Sequence, residues 1–136
     1  MIETAIAGGC FCGAVRYGIR ARPIASMLCH CRSCTRIAGS PAVAWITVAA
    51  DAFAIRAGAP ATLRSSPPVE RTFCRACGTP LTYRHADHPD EVDVATCTLD
   101  DGGAFAPTYH AWESEKVPWL ACPADVPTCD GAGPPR

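Results

Sequence analysis

The sequence predicts a mainly β domain with one short helix, and three observations lead to this fold class. The chain has 11 glycines and 13 prolines spread along its length, which leaves little room for long helices. Between them lie short apolar runs, several with the alternation of polar and apolar residues that is typical of half-buried strands. Seven of the 10 cysteines fall into three tight clusters, which indicates a fold held together at a few points by sulfur.

The predicted elements follow one another at short intervals from the N-terminus. We expect β-strands at residues 14–19, 42–48, 53–56, 61–64, 69–73, 81–84, 92–96 and 108–112. Prolines fall between these runs, where a missing backbone N–H does least harm. The one predicted helix covers residues 32–38, and Gly39 is placed to cap its C-terminus.

The length of the chain fits a single domain. A domain of 136 residues buries about two thirds of the surface of its unfolded chain, so it can form a real core. We expect this domain to cover residues 1–122. Residues 123–136 are rich in Pro, Gly and Asp and lack periodicity, which predicts a flexible C-terminal tail.

Charge and hydropathy exclude several classes of partner. The formal net charge is −1 and no run of Lys or Arg stands out, so we expect neither a nucleic-acid partner nor a membrane surface. No stretch of about 18 apolar residues is present, and residues 1–5 do not resemble a signal peptide. We therefore expect a cytoplasmic protein. The sequence carries no signal for a particular oligomeric state.

The clustered cysteines are the main functional signal. Residues 8–13 read GGCFCG, residues 29–34 read CHCRSC and residues 73–78 read FCRACG, whereas Cys97, Cys122 and Cys129 are isolated. Disulfides between such near neighbours would be strained, and they are rare in a reducing compartment. The clusters therefore favour a metal ion. Thiolate ligands favour zinc, and an iron–sulfur cluster is the alternative.

The number of ligands predicts one closed and one open site. Zinc binds about four ligands when its role is structural and three protein ligands when it keeps a position for water or substrate. Cys29, Cys31 and Cys34 are contiguous and form the best three-ligand set. The remaining four then close the other site: Cys10, Cys12, Cys74 and Cys77. We expect two Zn²⁺ ions per chain.

Residues beside the clusters modify this prediction. His30 lies between two predicted ligands and could complete a closed site, although this position favours a ring that points away. Several arginines lie near the thiolates and could offset their negative charge: Arg32, Arg36, Arg71 and Arg75. The cations available to bind the carboxylates of a ligand, with no spacing that singles them out, are Arg16, Arg36, Arg84 and Lys116.

The order of the cysteine motifs resembles the glutathione-dependent formaldehyde-activating enzyme family. The likeness begins with GGCFCGAVRY at residues 8–17, continues with CHCRSC at residues 29–34 and FCRACG at residues 73–78, and extends over most of the chain. Downstream, the segment LDD at residues 99–101 and the segment PTYHAWESEKVPW at residues 107–119 are also similar to that family's closing segment.

The resemblance implies a fold, a ligand set and an activity. The fold is a β-tent, in which antiparallel sheets are pinned at one edge by zinc. The implied structural ion lies between Cys10, Cys12, Cys74 and Cys77, and the implied active-site ion lies on Cys29, Cys31 and Cys34. The activity is that of a carbon–sulfur lyase, which adds a thiol such as glutathione to formaldehyde or another small aldehyde and gives S-hydroxymethylglutathione.

Two further residues have candidate roles, and two other functions stay open. His110 alternates with Trp112 on a predicted strand and could act as a general base near the open zinc, or it could be a packed structural residue. Cys97 is either a buried, inert thiol or the nucleophile of a thiol redox enzyme. The other alternative is a non-catalytic binding module in which both zinc sites are structural.

Overall fold

The fold consists of ten β-strands and one α-helix in the part of the chain that a computed structural model describes, residues 5–122 and 125–134. The strands are β1 (Ile6–Gly9), β2 (Arg16–Ile19), β3 (Ala25–Cys29), β4 (Val43–Ala49), β5 (Phe53–Ala57), β6 (Ala61–Ser66), β7 (Val69–Phe73), β8 (Pro80–His85), β9 (Glu91–Ala95) and β10 (Tyr109–Ala111). The helix is α1 (Arg32–Ala38). Short 3₁₀ turns cover Ala50–Ala52, Thr96–Thr98, Gly102–Ala104 and Glu113–Glu115. The prediction of a mainly β fold with one short helix is confirmed.

The predicted strands are all present, and their observed ends lie within two residues of the predicted ones. Strands β1 and β3 were not predicted. The four residues of β1 read IAGG, and glycine is disfavoured in strands. The pairing of β1 with β2 therefore decides the conformation of β1. Strand β3 lies between two neighbours of the larger sheet, and its last residue, Cys29, belongs to a cysteine cluster.

The strands form two sheets of unequal size. A three-stranded sheet has the order β1-β2-β5, and a seven-stranded sheet has the order β10-β3-β4-β9-β8-β7-β6. All named pairings are antiparallel except that of β10 with β3, which is parallel. The predicted antiparallel sheets are therefore confirmed, with one parallel pair at the edge of the larger sheet.

The main core lies between the two sheets. Tyr17 and Ile19 on β2 belong to the same buried cluster as Ile46 and Val48 on β4 and Val94 on β9. Each of these side chains is at most 1 % exposed. Strand β4 reads VAWITVA, a nearly continuous apolar run, because both faces of this central strand are covered.

A second cluster covers the opposite face of the larger sheet. Met27 on β3, Trp45 on β4 and Ala95 on β9 lie in one cross-strand row and pack with Tyr109 on β10. Cys29, Cys34 and the half-buried Cys31 belong to this cluster. The three-cysteine motif therefore lies on the outer face of the sheet, away from the main core.

Helix α1 is short and depends on its caps. Cys31 is the N-cap, and its Sγ accepts a hydrogen bond of 3.3 Å from the backbone N–H of Cys34. Gly39 ends the helix with φ 61°, as predicted for a C-cap. A helix of 7 residues is marginal by itself, so these local bonds help to hold it.

Part of the C-terminal segment makes backbone hydrogen bonds with β10 and the turn after it. The N–H of His110 donates to the carbonyl of Pro127, and the N–H of Cys129 donates to the carbonyl of His110. Residues 123, 124, 135 and 136 of the predicted tail lie outside the described residues. The flexible tail and the boundary at residue 122 stay predictions. In the described chain, no helix has the length and apolar character needed to cross a membrane.

Candidate metal centres

The first predicted ligand set meets at one point. The Sγ atoms of Cys10, Cys12, Cys74 and Cys77 all lie within 4.8 Å of one another. The distance from Cys12 Sγ is 3.6 Å to Cys10 Sγ and 3.8 Å to Cys74 Sγ. Cys12 and Cys74 are 62 positions apart in sequence, so this cluster joins two distant segments of the chain.

Two turns of similar form carry these sulfurs. The N–H of Gly13 donates to the carbonyl of Cys10 at 3.1 Å, and the N–H of Gly78 donates to the carbonyl of Cys74 at 2.8 Å. Both glycines have φ 81°, a left-handed conformation that other residues rarely adopt. The glycine that follows each cysteine pair thus lets the chain turn around the sulfurs.

Polar hydrogens point at the sulfurs of this cluster. The backbone N–H of Val15 donates to Cys10 Sγ at 3.2 Å and lowers the pKa of that thiol. The Thr79 hydroxyl lies 3.1 Å from Cys77 Sγ and, with the backbone N–H of Thr79, lowers the pKa of Cys77 to about 5. Thiolate is the form in which cysteine binds metal, so both contacts favour ligation.

The geometry of the four sulfurs fits zinc. A tetrahedral site with zinc–sulfur bonds of about 2.3 Å has sulfur–sulfur edges of about 3.8 Å. The observed 3.6 and 3.8 Å agree with such edges and are far longer than the bond of a disulfide. The 10 cysteines are all free. The residues present therefore fit a four-sulfur metal site.

The second predicted ligand set also converges. The Sγ atoms of Cys29, Cys31 and Cys34 lie within 4.8 Å of one another. Cys29 ends β3, Cys31 caps α1 and Cys34 lies in the first turn of the helix. A strand end followed at once by a helix start therefore brings three sulfurs together within six residues of sequence.

The charges of these three thiols depend on one another. The sulfurs of Cys31 and Cys34, and then burial, raise the pKa of Cys29 well above its usual value. Hydrogen bonds from the thiols of Cys29 and Cys34 lower the pKa of Cys31 to about 2. Negative charge on one of these three adjacent sulfurs therefore disfavours negative charge on the others. A divalent ion would allow all three to be thiolates, so this donor set fits zinc with a position left for a fourth ligand.

A cavity of about 540 Å³ adjoins the second cluster. Its lining includes Cys29, Cys31 and Cys34 and the apolar side chains of Met27 and Trp45. The four cysteines of the first cluster are not part of this lining. The three-sulfur cluster, unlike the four-sulfur one, therefore adjoins this cavity.

The polar lining of the cavity carries more negative than positive groups. It contains four carboxylates and two imidazoles: Asp87, Glu91, Asp93, Glu115, His85 and His88. Asp93 accepts a hydrogen bond from the Thr47 hydroxyl, and Glu115 accepts one from the backbone N–H of Arg32. Among the described lining residues, the single permanent cation is Arg71.

Among the arginines predicted to offset the charge of the thiolates, Arg71 contacts a sulfur of the second cluster. Its Nη1 and Nη2 atoms are each 3.6 Å from Cys34 Sγ, and the residue is 6 % exposed. Arg75 instead donates to the carbonyl of Ala59. The cations considered for a substrate carboxylate, Arg16, Arg36, Arg84 and Lys116, do not line the cavity, and Arg16 is paired with Asp100.

His30 and His110 form a buried pair behind the second cluster. His30 Nε2 lies 2.9 Å from His110 Nδ1, and the residues are 1 % and 2 % exposed. One ring nitrogen of each lies within 4.8 Å of the other and of Cys122 Sγ, a third group that could hold a metal ion. Burial lowers the pKa of His30. Neither histidine lines the cavity, so a catalytic role of His110 stays a prediction.

Two residues differ in part from the sequence analysis. Cys97 is exposed, so the prediction of a buried thiol is wrong, and it does not line the cavity. Its redox role stays untested. Trp112 lines the cavity and has φ 56°, the one positive φ outside glycine in the described residues. The alternation of His110 and Trp112 predicted that Trp112 belongs to a strand, but it did not predict the left-handed backbone at this residue.

These features define a mainly β domain with cysteine clusters able to bind metal. The model of the glutathione-dependent formaldehyde-activating enzyme family matches residues 5–115, so the chain belongs to this family. A search of curated proteins gave no match. Among solved structures, the chain is similar to a Rhodobacter sphaeroides protein, with 23 % identity and a TM-score of 0.59 over 69 % of this chain and 87 % of that one. That likeness concerns the fold alone.

Proposed function

We propose that this protein is a zinc-dependent carbon–sulfur lyase that adds a thiol such as glutathione to formaldehyde or another small aldehyde. The observation that carries the proposal is the cavity of about 540 Å³ beside the sulfurs of Cys29, Cys31 and Cys34. Membership in the family supports the same reaction class. The proposed structural zinc site is the four-sulfur one on Cys10, Cys12, Cys74 and Cys77.

In the proposed reaction, a thiol sulfur attacks the carbonyl carbon of the aldehyde. A carbon–sulfur bond forms, the carbonyl π electrons move to the oxygen, and the thiol proton ends on that oxygen. The product is a hemithioacetal, which for formaldehyde is an S-hydroxymethyl adduct. The reverse reaction is the lyase direction. When bound, zinc would supply a Lewis acid that lowers the pKa of a thiol or polarises an aldehyde oxygen.

The residues of the chain position the reactants and limit their contact with water. Met27 and Trp45 cover one side of the cavity with apolar surface beside the three sulfurs. The Arg71 guanidinium faces the same cluster and favours negative charge there. Holding the thiol and the aldehyde together in such a space replaces an encounter in solution with a reaction between neighbours.

The test measures metal content, fold and exchange rate in three proteins. Thiol and formaldehyde also combine without a catalyst, so the readout is the exchange rate at equilibrium, measured by NMR exchange spectroscopy with ¹³C-formaldehyde and glutathione. The proteins are the wild type, Cys31→Ser and the control Cys97→Ser. Serine is itself a favoured N-cap, so Cys31→Ser removes one ligand while the cap of α1 is retained.

We expect two zinc ions per chain in the wild type, one in Cys31→Ser and two in Cys97→Ser. The rate enhancement should disappear in Cys31→Ser and stay in Cys97→Ser. An enhancement that survives in a folded Cys31→Ser protein with one zinc ion would contradict the proposal. Unfolding of Cys31→Ser would favour two structural sites, and loss of the enhancement in Cys97→Ser would place the chemistry at that thiol.

A further inference from the structure

Arg71 is held in place from three directions at the edge of the three-sulfur cluster. Its Nη1 and Nη2 atoms are each 3.6 Å from Cys34 Sγ, on helix α1. Its Nε donates to Ser65 Oγ on β6 at 3.0 Å. The guanidinium carbon lies 4.9 Å from the ring centre of Tyr83, its cross-strand neighbour on β8. A buried guanidinium with these partners has one fixed position.

This position places a permanent positive charge where the cluster is negative. Three thiolates and one divalent ion carry a net charge of −1. A neutral fourth ligand leaves that charge unchanged, whereas a thiolate makes it −2. Arg71 is 6 % exposed, so solvent screens its charge only weakly, and it lines the cavity from which a fourth ligand would come.

We propose that Arg71 makes the fourth position of this cluster selective for an anionic sulfur ligand over a neutral one. The inference rests on the proposed function, because it assigns a fourth position to Cys29, Cys31 and Cys34. Arg71 acts on the ligand through its field and through Cys34, so it is a positioning residue. It determines which class of molecule occupies the position.

Lysine would not replace arginine fully at this point. The planar guanidinium reaches Cys34 Sγ with two nitrogens, Ser65 with a third and the Tyr83 ring with its face. An ammonium group keeps the charge but cannot make this set of contacts together. We therefore expect Arg71→Lys to retain part of the selectivity and Arg71→Gln to lose most of it.

The experiment compares two ligands of different charge on cobalt-loaded protein. Cobalt(II) in place of zinc gives visible absorption bands that change with the fourth ligand. The probes are 2-mercaptoethanol, which binds as a thiolate, and imidazole, which binds as a neutral ligand. The proteins are the wild type, Arg71→Gln, Arg71→Lys and Arg84→Gln. Arg84 lies on the neighbouring strand β8 and is exposed, so its variant makes the same change in net charge away from the cavity.

We expect Arg71→Gln to weaken binding of 2-mercaptoethanol about 10- to 100-fold, because the variant removes a weakly screened positive charge beside the thiolate. Imidazole affinity should change less than about threefold, since a neutral ligand gains little from the guanidinium. Arg71→Lys should weaken thiol binding by less than Arg71→Gln does, and Arg84→Gln should change neither affinity.

Several results would overturn the inference. Equal weakening of both ligands would give Arg71 a merely structural role, and unchanged thiol affinity would remove its role altogether. If Arg71→Gln does not fold, Arg71→Lys decides the question, because weaker thiol binding with constant imidazole binding is still required. No aldehyde is present, so the selectivity can hold even where adduct formation fails. Failure of the proposed function is thus separable from failure of this inference.

Discussion

The two cysteine clusters differ in how far apart their ligands lie in the sequence. The four-sulfur cluster joins Cys12 to Cys74 across 62 positions, from the turn between β1 and β2 to the turn between β7 and β8. The three-sulfur cluster draws all its ligands from residues 29–34. Closing a long loop constrains the whole chain, whereas closing a short one constrains only a turn. The first arrangement is suited to hold the two sheets together, and the second is suited to hold a reactive centre.

The surroundings of the two clusters also differ. The backbone N–H of Val15 and the Thr79 hydroxyl contact sulfurs of the first cluster, Cys12 of that cluster is exposed, and none of its cysteines lines the large cavity. The second cluster lies against that cavity, with a buried guanidinium at its edge. The first cluster therefore offers four sulfurs to a metal ion, whereas the second offers three sulfurs and an adjoining space for a further ligand.

The largest expected effect comes from removing a ligand of the long-range cluster. A structural zinc ion can contribute about 10–16 kcal/mol of apparent binding free energy, which is comparable to the about 5–15 kcal/mol by which proteins are stable. We expect Cys74→Ser to unfold the protein or to lower its thermal midpoint far more than Cys31→Ser does. Circular dichroism during heating measures the difference. Equal destabilisation by the two variants would remove the contrast between the clusters.

Chelation should release the two metal ions in sequence. A chelator in the cavity can take the fourth position of the second cluster directly, whereas at the first cluster, although Cys12 is exposed, it must displace one of four sulfur ligands. We expect biphasic zinc release, followed with a colorimetric zinc indicator. The fast phase should be absent from Cys31→Ser and should leave the circular dichroism spectrum unchanged. A single phase that coincides with unfolding would contradict this ordering.

A smaller effect should follow from a change in the turn that carries Cys10 and Cys12. Gly13 has φ 81°, and a Cβ added there would meet no atom within 4 Å, so the cost of Gly13→Ala is conformational alone. We expect about 1–2 kcal/mol of lost stability, which is the cost of a left-handed residue with a side chain. Denaturant unfolding measures it. The rate enhancement should be unchanged, and a loss of activity without a loss of stability would couple the two clusters.

The smallest expected effect concerns the charge of the thiol. The four carboxylates of the cavity lining should favour a thiol with an ammonium group over one with a carboxylate. Cysteamine and 3-mercaptopropionate have similar length and opposite charge. We expect cysteamine to bind the cobalt-loaded protein a few-fold more tightly at low salt, since partly exposed charges are screened. Equal affinities, or an affinity ratio that does not change with salt, would show that these carboxylates have no influence on the ligand.

Some strands could be predicted from the sequence because local signals determine them. Strand β7 was predicted at its observed ends, since alternation in VERTF matches a half-buried strand and prolines and glycines separate it from its neighbours. Helix α1 was likewise predicted at its observed ends, because a cap at Gly39 marks where it stops. Strand β1 could not be predicted, because its glycines carry no strand preference and only the pairing of Ile6 with Ile19 and its neighbours decides its conformation.

The sequence alone predicted a division of the seven clustered cysteines into four and three, because Cys29, Cys31 and Cys34 are contiguous and the ligand number of zinc leaves the other four for a second site. It could not distinguish Arg71 from the other arginines near the clusters. Arg71 and Cys34 are 37 positions apart, and only the pairing of β7 with β8 and the position of α1 over the sheet bring the guanidinium to the sulfur. The tertiary structure also decided that the cavity of about 540 Å³ adjoins the three-sulfur cluster and not the four-sulfur one, because a cavity is made by side chains from distant strands.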